Sequence, residues 1–290
     1  MIVFIVNQRS GNGNGGKVWR TLEKRLYEKE ASFEVVYTEY PGHATELAKM
    51  AAQKKEIRAV IAVGGDGTIH EVAGGLIGTS ITLGCIPAGS GNDFARTRGI
   101  STDPLQALEQ MLTGEPEVVD TLRVNGEVTI GTAGVGFDAS VSQAVNRSSV
   151  KRWLKKAVYV WELIRLLFTF QPQNVTVTLD GNRKQVSGVW LIAVANIPFY
   201  GGGMKICPEA SNRDGLLDIC IVREVSRWKI LFVFPRVFQG THVSHPAVEM
   251  MKGTRLEVES SPPLLIHTDG EVIGKTPVEM EIVPNSLQVI

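Results

Sequence analysis

The sequence predicts two domains, an N-terminal α/β domain on a parallel sheet over residues 1–118 and a mostly antiparallel β domain over residues 119–290. Three observations carry that expectation. Continuous apolar runs alternate with amphipathic stretches through the first third of the chain, and a glycine-rich turn follows most of those runs. Beyond Pro116 the pattern changes to short extended segments, several joined by Asn-Gly or Asp-Gly.

The elements follow in order. IVFIV reads as a first strand, and Val18 to Lys29 as a helix with Val18, Leu22 and Leu26 on one face. FEVVYTE is the second strand, Ala44 to Lys54 the second helix, AVIAV the third strand and ITLGCI the next. Strands that are apolar throughout suit a parallel sheet covered on both faces, where ligands sit beyond the carboxyl ends of the strands. The glycine stretches fall there: GNGNGG after the first strand, GGDGT after the third, PAGSGND after ITLGCI. In the second half LRVNGEVTI, NVTVTLDGNRKQVSG, WLIAVAN, LLDICIV, TRLEVES, PLLIHTDGEVI and VEMEIV read as strands and hairpins, the last a candidate to return to the first domain. Helical patterns interrupt them at Ser148 to Phe170 and Trp228 to Gln239.

Composition bounds the function. Thirty basic residues balance thirty acidic ones, so nothing global draws the chain to nucleic acid. The three cysteines, Cys85, Cys207 and Cys220, sit in apolar contexts and read as reduced packing residues, in keeping with a cytoplasmic protein. The N-terminus has no basic segment before its apolar run, so it reads as a strand and not as a leader, and no window supplies the roughly 20 apolar residues that span a bilayer. The five histidines lack metal spacing; His242 and His245 have no third ligand nearby.

The motif SGNGNGGKV, Ser10 to Val18, admits three readings. Gly11, Gly13 and Gly16 satisfy the dinucleotide fingerprint, and Gly11, Gly16 and Lys17 satisfy a P-loop except at its last position. Val18 cannot hold Mg²⁺ as the Ser or Thr of a P-loop does. Four residues, Asn7 to Ser10, separate the strand from Gly11, where the dinucleotide motif expects immediate entry into the turn. GGDGT, Gly64 to Thr68, is more informative. Thr68 and Glu71 form a T-x-x-E capping box, which predicts a helix start whose free amides face an anion, with Asp66 placed to act through Mg²⁺ or to orient a hydroxyl. In PAGSGNDFAR, Ser90 can donate to phosphate, Asn92 and Asp93 can cap the next helix and Arg96 can return a charge. Three such loops at one sheet edge argue a polyphosphate site.

Taken in order, NQRSGNG, GGDGTIHEV, PAGSGNDFAR, GVGFDA, YGGGMKICPEA, RDGLLDICIV and TDGE resemble the diacylglycerol kinase catalytic family, specifically its short soluble bacterial lipid kinases. GGDGT alone is shared with NAD kinases and phosphofructokinases; the later blocks make the resemblance specific. It implies a Mg²⁺- and ATP-dependent lipid kinase with an α/β nucleotide domain, whose parallel sheet is like those of NAD kinases and phosphofructokinases, a β-sandwich domain and an active site in the cleft between them. Carried over, the resemblance makes Asn7, Gln8, Arg9, Ser10 and Gly11 the first nucleotide loop, with Lys17 behind it, and puts Thr38 against the nucleoside. Gly64, Gly65, Asp66, Gly67, Thr68, Ile69 and His70 would wrap the phosphates with Ser90 and Asn92, and Asp66 would also serve the chemistry. Asp214 would hold a structural Mg²⁺ with backbone oxygens of Ser211 and Leu216, and Glu271 would accept the proton. Gln8 departs from the family's proline, Ser90 from its threonine and His70 from its asparagine; none removes a charged catalytic group.

Phosphoryl transfer is mostly positioning and charge neutralisation, so glycine loops, Mg²⁺ and one carboxylate suffice. The helix at Ser148 to Phe170 carries Val150, Trp153, Leu154, Ala157, Val158, Trp161, Ile164, Leu167 and Phe168 at helical spacing behind Lys151, Arg152, Lys155 and Lys156. It suits either a core helix with a solvated basic end or a helix lying on the inner face of the membrane, with RWKILFVFPRVF as a second wall that Pro235 kinks or ends. The alternatives to a lipid kinase are an NAD kinase and a non-catalytic nucleotide or lipid sensor. The lipid itself and the oligomeric state, a homodimer included, are left open by the sequence.

Overall fold

The computed structural model describes residues 1–147 and 155–290, which fall into two compact units, 1–121 with 284–290 and 122–283.

The first unit is a parallel sheet in the order β2 (Phe33–Tyr37), β1 (Ile2–Val6), β3 (Ala59–Gly64), β4 (Thr82–Pro87). β1, β3 and β4 are buried at every residue, as apolar strands covered on both faces must be. The C-terminal end of β17 (Val278–Val289) joins as a further parallel strand, with Val289 opposite Leu83. Helices α1 (Ser10–Glu28), α2 (His43–Ala52), α3 (Asp66–Leu76), α4 (Asp93–Thr97) and α5 (Pro104–Thr113) connect the strands. α1 buries Val18, Leu22 and Leu26, the stripe that its periodicity predicts. It also reaches further towards the N-terminus than the apolar pattern indicates, because Gly11, Asn12 and Gly13 form a left-handed turn (φ of 57°, 60° and 89°) ahead of the regular helix.

The second unit is mostly antiparallel. β9 (Asn182–Ala195) organises it: its first half pairs with β8 (Gln173–Leu179), its second with β7 (Thr132–Gly136) on one side and β12 (Leu217–Arg223) on the other. Side chains alternate across a strand, so Ile192 and Val194 enter the main core with Val177, Ile219, Leu256 and Ile266. Ala193 and Ala195 face a second cluster with Met204, Cys207 and Cys220. β14 (Arg255–Ser260), β15 (Leu265–Thr268) and β16 (Glu271–Lys275) extend the sheet, β13 (Val248–Gly253) pairs with β12, β5 (Glu117–Val124) pairs with β6 (Glu127–Thr129), and β10 (Phe199–Tyr200) and β11 (Met204–Lys205) form a separate two-stranded hairpin. Asn125-Gly126, Asp180-Gly181 and Asp269-Gly270 have both residues at positive φ, the hairpin geometry those dipeptides predict.

Helices α6 (Phe137–Arg147) and α7 (Lys155–Thr169) close one face around Phe137, Leu163, Leu167 and Trp190. Ser148 to Leu154, the start of the predicted basic helix, lies outside the described residues. α8 (Arg227–Val233) gives way to a 3-10 turn at Phe234–Gln239, where Pro235 cannot continue an α-helix.

Candidate functional site

Three loops of the first unit meet at the carboxyl end of its sheet. After β1, Asn7 donates its backbone N–H to Val63 O at 3.0 Å and its Nδ2 to Thr68 Oγ1 at 3.0 Å. Its own Oδ1 accepts from Arg9 N–H at 3.1 Å, and its carbonyl accepts from Ser10 N–H at 3.1 Å. One side chain thus fixes its own loop and the next. After β3, Gly65 is extended and its carbonyl accepts from Thr68 and Ile69 N–H at 2.9 and 3.1 Å, starting α3. The predicted capping box does not form. Because the Gly65 carbonyl serves the first turn, the Thr68 hydroxyl is released to Asn7, and Glu71 accepts from Ala44 N–H at 3.1 Å.

The third loop, after β4, lies against the second at backbone distance. A Cβ on Gly89 would stand 2.5 Å from Gly65 Cα, and one on Gly65 would meet the Ser10 hydroxyl at 3.3 Å. No side chain fits there, which is what paired glycines achieve at a phosphate site. Asn92 bonds Gly89 at both ends, accepting from its N–H at 3.0 Å and donating to its carbonyl at 3.2 Å, and so holds the loop instead of capping α4. Asp66, half-buried, accepts from Phe94 N–H at 3.2 Å, while Asp93 pairs with Arg96.

The structure therefore brings together Asn7, Ser10, Gly64, Gly65, Asp66, Thr68 and Asn92, with Arg9, Gly11, Gly67 and Ser90 on the same loops. Gln8 contributes its carbonyl, which accepts from Gly16 N–H at 3.2 Å. Ile69 is fully buried and His70 half-buried, both one turn into α3. Thr38 hangs from β1 through its N–H to Val6 O at 3.1 Å. Lys17 is not gathered into the loops; it lines an open groove with Arg20, Lys24 and residues of α5. Asn14 was missed at the sequence level; its Nδ2 reaches Ala88 O at 3.4 Å and ties the first loop to the third.

In the second unit Glu271 opens β16 directly after the Asp269-Gly270 turn, opposite Thr268 of β15, exposed and with its carboxylate making no hydrogen bond or ion pair to any described residue. The turn itself is held firmly. Asp269 accepts from Thr132 N–H at 2.8 Å and from the Thr129 hydroxyl. His267 Nδ1 accepts from Gly270 N–H at 3.3 Å, which leaves the proton on Nε2, 3.2 Å from Asp138 Oδ2. Both members of that pair are buried, and a Cβ on Gly134 would stand 2.0 Å from the Asp138 oxygen. The Asp138–His267 pair, 129 residues apart in the chain, was missed at the sequence level.

Asp138 also borders an apolar cavity of 80 Å³ lined by Phe137, Trp190, Tyr200, Phe234 and His242 among others. His242 Nε2 lies 3.1 Å from Ile206 O, so it carries the ring proton; burial lowers the pKa and keeps the imidazole neutral. Outside the cavity, the apolar residues of α7 divide between core and solvent. Leu163 and Leu167 are buried, whereas Trp161, Ile164 and Phe168 are exposed, as are Trp228 and Phe232 of α8, the last at 80%. Phe168 and Trp228 pack edge to face at 5.3 Å, and Arg227 donates to the carbonyls of Leu167 and Phe170 at 3.2 Å each, capping α7 and tying it to α8.

The metal expectation at Asp214 meets an obstacle. Asp214 Oδ1 accepts from Leu216 N–H at 3.1 Å and Oδ2 lies 3.3 Å from the Lys252 ammonium, so a full positive charge already occupies the one carboxylate of that set. No group of three or more His, Cys, Asp or Glu side chains among the described residues could hold a metal ion. With Ser211 and Leu216 as its companions, Asp214 does not fit a divalent ion. The cysteines are buried packing residues, with burial raising the pKa of Cys85 and Cys207 and pushing that of Cys220 up to about 12. No helix among the described residues is long and apolar enough to cross a membrane.

Known proteins match throughout. The diacylglycerol kinase catalytic domain profile matches residues 1–124, and that of the YegS C-terminal NAD kinase beta sandwich-like domain matches residues 131–290. A Mycobacterium tuberculosis (strain H37Rv) protein named diacylglycerol kinase is 35% identical, the alignment covering 100% of this chain and 94% of that relative. A Bacillus subtilis diacylglycerol kinase is 33% identical over 82% of this chain and 78% of its own. A crystal structure of a diacylglycerol kinase from Bacillus anthracis shares the fold, with a TM-score of 0.74 over 100% of this chain and 96% of that one at 21% identity. A parallel nucleotide-type sheet followed by a sandwich-like domain, matched end to end at this identity, makes the chain a member of the diacylglycerol kinase family and a kinase.

Proposed function

We propose that the protein transfers the γ-phosphate of Mg²⁺-ATP to a lipid hydroxyl such as that of diacylglycerol. The observation that carries this reading is the backbone-to-backbone approach of Gly65 and Gly89 at the first turn of α3, which keeps side chains out of the place where a polyphosphate would lie. Asn7 and Asn92 pre-set the loops that would hold the nucleotide, so little order is lost when it binds. Asp66 offers the hard carboxylate oxygen that Mg²⁺ prefers, at the first turn of α3 where phosphates would lie. Bound there, Mg²⁺ would neutralise phosphate charge. Glu271, with no competing partner among the described residues, would take the proton of the attacking hydroxyl, and the Asp138–His267 pair behind its turn would hold that turn in place.

Two features of the second unit favour a lipid acceptor. The cavity is lined mainly by aliphatic and aromatic side chains, with Asp138, His242 and His245 among them, a composition suited to the apolar part of a lipid next to its hydroxyl. Trp161, Ile164, Phe168, Trp228 and Phe232 form an exposed surface on α7 and α8 suited to a bilayer, each worth roughly 1.5–3 kcal/mol if fully buried. An NAD kinase is the second reading, favoured by the sandwich domain's likeness to that of NAD kinases. The test is transfer of labelled γ-phosphate to a panel of extracted lipids with NAD⁺ alongside. Label in a phospholipid product is expected; label in NAD⁺ alone replaces the first reading with the second.

A further inference from the structure

Asp218 is a carboxylate in the interior of the second unit, 2% exposed, on β12. The antiparallel register sets it directly opposite Lys252 of β13. Lys252 Nζ lies 3.2 Å from Asp218 Oδ1 and 3.3 Å from Asp214 Oδ2, so one ammonium bridges the strand to the turn before it. Asp214 in turn accepts from Leu216 N–H at 3.1 Å. The other oxygen, Asp218 Oδ2, is buried without a hydrogen-bond partner among the described residues. Glu209 adds negative potential at Asp218. A buried carboxylate in that field is costly unless a cation answers it, and Lys252 is the cation present.

We propose that Lys252 is the resident cation of the 211–218 turn, doing for this chain what a structural divalent ion would do, and that deleting the ammonium uncovers a divalent site on Asp214 and Asp218. Two arguments support this. An ammonium and a divalent ion on the same oxygens would repel each other at close range, so the two are exclusive. The unpartnered Oδ2 of Asp218 also supplies, once Lys252 is gone, the hard anionic donor that Mg²⁺ or Ca²⁺ requires beside Asp214. The inference is independent of which acceptor the kinase uses.

Thermal unfolding of the full chain without nucleotide tests it. Wild-type protein should give the same midpoint in chelator and in millimolar Mg²⁺ or Ca²⁺. Lys252→Met should lower the midpoint in chelator by roughly 5–10 °C and recover part of that loss when Mg²⁺ or Ca²⁺ is added, while Lys252→Arg should stay near wild type. A wild-type midpoint that falls in chelator and returns with Mg²⁺ would overturn the proposal, and this arm reads out even if Lys252→Met does not fold. A Met variant as stable as wild type, or one indifferent to both ions, would equally overturn it.

Discussion

The glycine rim of the first unit and the apolar wall of the second are built from different materials. The rim is backbone: Gly65 against Gly89, carbonyls of Gly65 and Gln8 closing turns, two asparagines bonding main chain. The wall is side chain: Trp190, Phe137 and Phe234 around a cavity, and five apolar residues of α7 and α8 in water. A single methyl group is therefore a severe change at the rim, whereas the wall should tolerate exchange of one large apolar residue for another.

Three experiments break or sharpen that contrast. The largest effect is expected from Glu271→Ala, which should lower kcat by about 10²–10⁴-fold and leave the Kd for Mg²⁺-ATP unchanged in calorimetry. A parallel loss of nucleotide affinity would end the division of labour between the units. Next comes Gly89→Ala. Its Cβ would stand 2.5 Å from Gly65 Cα, and moving one loop away should weaken ATP binding by roughly 10- to 100-fold while lipid-vesicle binding is retained. Unchanged ATP affinity would show that the close approach is dispensable. The smallest effect is expected from the double variant Trp228→Ser, Phe232→Ser, which should weaken sedimentation with anionic vesicles about tenfold and spare turnover of a short-chain soluble acceptor. Equal loss on both substrates would move those rings from docking to catalysis.

The rim was legible in the sequence because its requirement is local. Wherever main chains touch, only glycine fits, so GGDGT and PAGSGND declare themselves by composition. The hairpins were legible for the same reason, since Asn-Gly and Asp-Gly adopt positive φ cheaply. What the sequence did not disclose is pairing at a distance. Thr68 could cap a helix or reach Asn7, and only the position of β1 beside β3 decides. Helical periodicity announced an apolar stripe on α7, but Leu163, absent from that stripe, faces the core, while Trp161 and Phe168, within it, face water; two adjacent stripes carry the same period. Asp218–Lys252 arises from strand register, and Asp138 at the start of α6 meets His267 because register sets His267 opposite Gly134 of β7; hydrophobic pattern fixes neither until the sheet order is known.

The interior thiols have a practical consequence. Burial pushes Cys220 up to about 12 and shifts Cys85 and Cys207 in the same direction, so little of the reactive thiolate forms at neutral pH. Peroxide and alkylating reagents should find almost nothing to attack in the folded chain, so assays run in air without reductant should hold their rate, and a thiol that becomes labelled reports that the surrounding packing has opened.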